Sequence, residues 1–113
     1  MTNGQIILAL NTINRIKEED RRLPVRLSFA LNKNLQTLLA AYKPYEESLK
    51  EMGLSGVDAE TLAGLDDEKK KAFAELFNID CEVDLTKVSL SDIDGANLSV
   101  NEMEVIQTFM MDE

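Results

Sequence analysis

"LPVRLSFALNKNLQTLLAAYKPYEESLKEM", residues 23–52, carries the longest regular pattern in the chain. Its apolar series runs Leu31, Leu35, Leu38, Tyr42, Tyr45, Leu49 and Met52. Steps of four and three alternate along that series, which is the spacing of a narrow apolar stripe on one helix. Pro24 suits the first turn of a helix and disfavours helical geometry at Leu23 before it. Pro44 lies inside the pattern, where it removes a backbone donor and crowds the carbonyl of Ala40, so a kink is expected there. The apolar phase continues through Pro44. The stretch therefore predicts one kinked helix from Pro24 to Met52, roughly 43 Å long at a rise of 1.5 Å per residue.

Upstream, Thr2 is followed three residues later by Gln5, a weak capping box, with Asn3 as a competing cap. Ile6, Ala9, Leu10, Ile13 and Ile16 then recur at helical spacing. That helix is expected to end near Asp20, and the short connection Arg21-Arg22-Leu23-Pro24 predicts an antiparallel pairing of the first two helices. Downstream, Gly53 and Gly56 stop the second helix, and Asp58 heads a short helical turn through Leu62. Asp66 is the expected cap of a third helix whose buried edge is Phe73, Leu76 and Phe77.

The pattern changes at "CEVDLTKVSL", residues 81–90. Cys81, Val83 and Leu85 alternate with Glu82, Asp84 and Thr86, the period of a strand. Val88 and Leu90 continue it after a slip at Lys87, read as a bulge. Asp94-Gly95 is a hairpin turn signal, with a second short strand expected from Ala96 to Leu98. Ser99 to Glu102 forms a capping box that opens a last helix bearing Val100, Met103, Ile106, Phe109 and Met110. The expected fold is thus α+β and mainly α: a long antiparallel helical hairpin, a third helix, a short β-hairpin or strand pair, and a C-terminal helix. Residues 1–113 read as one domain, with a helical hairpin at 1–52 and a small acidic α+β part at 53–113.

Composition narrows the function classes. The 113 residues contain no His and one Cys. A Ser-His-Asp or Cys-His nucleophile is thereby excluded within one chain, and so is a structural zinc site. No residue set marks catalysis, so the chain reads as non-enzymatic, without metal or cofactor. In "SDIDGANLSVNE" the calcium-loop register would place Leu90 first and Asn101 twelfth, and neither supplies the required carboxylate. No apolar run is long enough to span a bilayer, and the N-terminus lacks the features of a signal peptide, so a cytoplasmic setting is expected. The lone Cys81 agrees with a reducing compartment.

Net charge is −9 and uneven: residues 1–50 hold eight Lys/Arg against five Asp/Glu, and residues 51–113 hold four against sixteen. Such acidity disfavours direct contact with nucleic acid and suits a basic partner surface. It also suits attraction between the two halves of the fold. Arg21, Arg22 and Arg26 cluster at the start of the second helix, where free backbone N–H groups and guanidinium forks suit a phosphate ligand. Their alternative partners are Glu18, Glu19 and Asp20, or the acidic half. A helix of some 40 Å outreaches a compact body whose radius of gyration would be about 13 Å. Leu31, Leu35, Leu38, Tyr42, Tyr45, Leu49 and Met52 are therefore expected to form the seam of a homo-oligomer, a dimer or higher. Cover by the first and last helices is the alternative.

"LPVRLSFALNKNLQTLLAAYKPYEES", preceded by an Asn-bearing amphipathic helix, resembles the N-terminal half of small proteins carried by phages and prophages of Gram-positive bacteria. "VDLTKVSLSDIDGANLSVNEMEVIQTFM" resembles their C-terminal end, through the turn at Ser91 to Gly95 and the cap at Ser99 to Glu102. The resemblance implies a viral origin and a bacterial cytoplasm, and it transfers no catalytic residue. With the absence of catalytic sets and the acidic surface, it leads to the expectation of a non-enzymatic binding protein that counteracts an antiviral defence. Such a protein would block a host protein or sequester a small nucleotide. A virion structural or assembly accessory protein is the alternative.

Overall fold

The computed structural model describes residues 1–19, 21–54, 56 and 59–111. Six helices account for 69% of them: α1 (Asn3–Glu18), α2 (Val25–Glu51), α3 (Ala59–Ala63), α4 (Asp67–Phe77), α5 (Leu90–Ile93) and α6 (Val100–Met110). The described part measures 48 × 26 × 21 Å, elongated by its longest helix.

The helix starts are written in local chemistry. Thr2 Oγ1 accepts from the Gln5 N–H at 3.2 Å, and Gln5 Oε1 accepts from the Thr2 N–H at 2.9 Å, closing the expected capping box. Pro24 caps α2, and the helix continues through Pro44. It stops where Gly53 adopts a φ of 72°, a left-handed conformation that a side chain would strain. There the Gly53 N–H donates to Lys50 O and the Leu54 N–H to Leu49 O, so the last carbonyls of α2 are satisfied. Asp66 caps α4 by accepting from the Lys69 N–H at 2.8 Å. The expected cap at Asp58 lies outside the described residues.

Helices α1 and α2 pair along their length; Ile7, Leu10 and Asn14 of α1 lie beside Leu39 and Tyr42 of α2. With a short connection at the other end, this makes the antiparallel hairpin that the spacing predicts. α6 and α4 pack on α1, and α5 packs on α2. One core joins both halves of the chain: Ile6, Ile13 and Ile16 of α1, Leu27, Leu31 and Leu38 of α2, Leu85, Val88 and Ile93, and Ile106 and Met110 of α6. Each such side chain contributes about 1.5–3 kcal/mol by leaving water.

The expected β-hairpin is not formed, and the fold is mainly helical instead of α+β. Among the described residues there are no strands, only two isolated bridges, Thr2 with Asp80 and Val88 with Met111. Residues 81–87 belong to no helix or strand, and the segment keeps the expected alternation in part: Leu85 and Val88 are buried, whereas Glu82 and Asp84 are exposed. Their backbone bonds go to side chains and helix ends, which replace a partner strand. Asn34 of α2 donates to Thr86 O at 3.0 Å and accepts from the Thr86 N–H at 2.7 Å. The Val88 N–H donates to Met110 O at 2.7 Å. Ser89 and Asp92 then close a capping box that the alternation concealed, so Leu90 begins the single turn of α5 and is exposed. Gly95 turns the chain from α5 toward α6, and residues 96–98 are not a strand.

Helix α4 also differs from expectation. None of its residues is buried; Phe73 and Leu76 are half-covered and Phe77 is 38% exposed. Its ring lies against α1 at Gly4, where an added Cβ would come within 2.4 Å of it. In α6, Val105 is buried and Val100 is exposed, the reverse of the expected face at those two positions.

Candidate protein-contact surface

The three arginines at the entrance to α2 do not act together. Arg21 is held by two carboxylates. Its Nη2 donates to Glu102 Oε2 at 2.8 Å and its Nη1 to Glu102 Oε1, while Nε donates to Glu19 Oε2 at 2.7 Å. Nη1 also donates to the carbonyl of Asn97 at 3.0 Å. Glu102 is 2% exposed and takes the Ser99 N–H at 2.9 Å as well, so one carboxylate both caps α6 and receives the guanidinium fork. Hydrogen bonds from Arg21, then from Ser99, hold its pKa down at about 2, and the Glu102 carboxylate in turn raises that of Arg21. This pair ties the α1–α2 connection to the start of α6.

Arg22 and Arg26 are exposed and make no ion pair among the described residues. Arg22 joins Arg21, Leu23, Pro24, Val25, Gly95 and Asn97 around an open cleft of about 640 Å³. Arg26 lies near Asp92 of α5, whose pKa is lowered first by the Ser89 backbone N–H and further by the charge of Arg26. The geometry therefore leaves Arg22 as the uncommitted guanidinium at the cleft.

The series expected at an oligomer seam is covered largely by its own chain. Leu31, Leu38 and Tyr45 are buried, and Leu35 and Tyr42 pack at the edge of the core. Leu49 and Met52 are half-covered. Burial raises the Tyr45 pKa, with a smaller contribution from Tyr42, whose ring lies 5.7 Å away.

The opposite face of α2 has a different character. Val25 is 84% exposed and Phe29, one turn on, is 61% exposed. Residues four apart share a helix face, so both project outward. Arg26, Lys33, Gln36 and Lys43 of α2 are exposed, and Arg22 precedes the helix beside Val25 at the cleft. From Arg21 to Tyr45 the chain has five Lys/Arg and no Asp or Glu, whereas the remainder has seven against twenty-one. The acid-free run was legible in the sequence; a division of charge at residue 50 blurs it by adding Glu46 and Glu47. Phe29 was passed over because it stands off the phase of the long stripe.

Elsewhere, α1 and α6 frame a cleft of about 500 Å³ with Leu8, Val105 and Phe109 among its walls and Arg15 and Glu104 at its sides. Among the described residues no group of His, Cys, Asp and Glu is placed to hold a metal ion, and no helix is long and apolar enough to cross a membrane. The chain matches no family model, no curated protein and no solved structure.

Proposed function

We propose that the chain is a non-enzymatic binding protein of phage or prophage origin that occupies a host protein in the bacterial cytoplasm and so blunts an antiviral defence. The observation that carries the binding reading is the outer face of α2: exposed Val25 and Phe29, set among cations without a neighbouring acid on that helix before Glu46. Exposed aromatic and arginine side chains are enriched at contact surfaces. The resemblance of both ends of the chain to small phage proteins supports the viral setting. The absence of His, with one Cys, supports action by contact.

Sequestration of a nucleotide draws less support. Arg21 is already bound to Glu102 and Glu19, which leaves fewer cations for a phosphate. A tagged chain expressed in its bacterial host should capture one host protein in near-equal amount and lower that protein's activity. Stoichiometric recovery of the chain with intact virions would instead establish the structural alternative. Heat on titration with cyclic nucleotides or ADP-ribose derivatives, removed by Arg22→Ala, would establish sequestration.

A further inference from the structure

We infer that the outer face of α2 receives an acidic amphipathic helix of a partner protein, laid along α2 with apolar residues on Val25 and Phe29 and carboxylates against Arg22, Arg26 and Lys33. This rests on the reading of the chain as a binding protein and names the chemistry of its partner.

Three features select that occupant. Val25 and Phe29 stand four residues apart, a spacing that a facing helix matches with side chains at the same interval. From Arg26 to Lys43 the cationic side extends roughly 26 Å at 1.5 Å per residue, the reach of about five helical turns. The cations lack ion-pair partners of their own among the described residues, apart from the charge of Asp92 near Arg26, so an incoming carboxylate displaces no existing salt bridge.

The competing occupants fit less well. A second copy docked face to face would oppose like charges, Arg22, Arg26, Lys33 and Lys43 against their own copies. A second copy docked through its acidic half would make a heterologous contact, which a dimer dissociated by Phe29→Ala would report. Duplex nucleic acid would meet exposed Val25 and Phe29 in the middle of the contact, and it would approach a chain that holds twenty-one acids outside the 21–45 stretch.

The probe is a fluorescent peptide of roughly 20 residues, about 30 Å as a helix, with leucine at every third or fourth position and glutamate on the flanks. It is titrated onto the full chain at low salt, beside a peptide with the leucines replaced by glutamine and beside duplex DNA. The leucine–glutamate peptide should bind, and the glutamine version at least about tenfold more weakly. Phe29→Ala, and separately the double substitution Arg22→Glu with Lys33→Glu, should each weaken binding by about tenfold or more without changing the helical circular dichroism. The inference is overturned by equal binding of these variants, by tighter binding of duplex DNA, or by a dimer that Phe29→Ala dissociates. Host-protein capture separates the two levels. A partner held equally by the wild-type and Phe29→Ala chains removes the α2 assignment and leaves the binding reading; no stoichiometric partner at all removes both.

Discussion

The two faces of α2 use similar residues to opposite ends. The inner face buries Leu27, Leu31 and Leu38 together with Asn34, a polar side chain that is fully enclosed. The outer face leaves Val25, Phe29 and Leu39 in water. Hydrophobicity alone does not sort them. What sorts them is the partner each position finds: Asn34 meets the backbone at Thr86 and satisfies it with two hydrogen bonds, while Phe29 stays 61% exposed. The inner face is committed to the fold, and the outer face remains available for contact.

The largest expected break in that comparison is on the inner side. Leu38→Ala should cost about 3 kcal/mol, the transfer of the side chain plus the cavity left behind. Urea unfolding would show it as a lower midpoint with an unchanged slope. Asn34→Ala should cost about 2 kcal/mol, because the partly buried N–H and carbonyl of Thr86 lose their partner together. Hydrogen exchange at Thr86 should accelerate ahead of exchange in α1, which would place the loss at that segment.

Acid provides a smaller and pH-limited effect. Glu102 has an ordinary pKa of 4.5 and is held at about 2 in the folded chain. A carboxylate with a depressed folded pKa contributes its stability fully above the unfolded value and loses it as pH falls through the folded value. Stability should therefore fall between about pH 4.5 and pH 2, and Glu102→Gln should flatten that part of the profile. Equal acid slopes in the two proteins would show that the Arg21 pair contributes nothing measurable.

The smallest expected stability change is on the outer side. Phe29→Ala should shift stability by no more than about 0.5 kcal/mol, since the side chain is 61% exposed. Thermal unfolding of that variant beside Leu38→Ala sharpens the comparison: two apolar truncations on one helix, one nearly silent and one severe.

Much of the helical frame was legible from residues close in sequence. The caps at Thr2, Asp66 and Ser99, the start at Pro24, the stop at Gly53 and the continuation through Pro44 each follow from local chemistry, and each is present. Alternation at residues 81–88 does not make a sheet. Leu85 and Val88 are buried in the core shared with α1, α2 and α6, and a helix side chain supplies the bonds that a second strand would have made at Thr86. Nothing local to residues 81–90 points to Asn34, fifty-two positions from Thr86. The same distance hid Glu102 as the partner of Arg21, although its role as a cap was plain. At the contact surface, the arginines were visible as a cluster, but their separation into a bound Arg21 and exposed Arg22 and Arg26 depends on where α6 begins.

The division between the two faces is tested most directly by mapping backbone amide shifts while the leucine–glutamate peptide is added to the full chain. Shifts should concentrate from Arg22 to Gln36, on exposed positions of α2 and just before it, with the amides of α6 little changed. Shifts concentrated on Leu8, Arg15, Val105 and Phe109 around the α1–α6 cleft, with α2 unaffected, would contradict it.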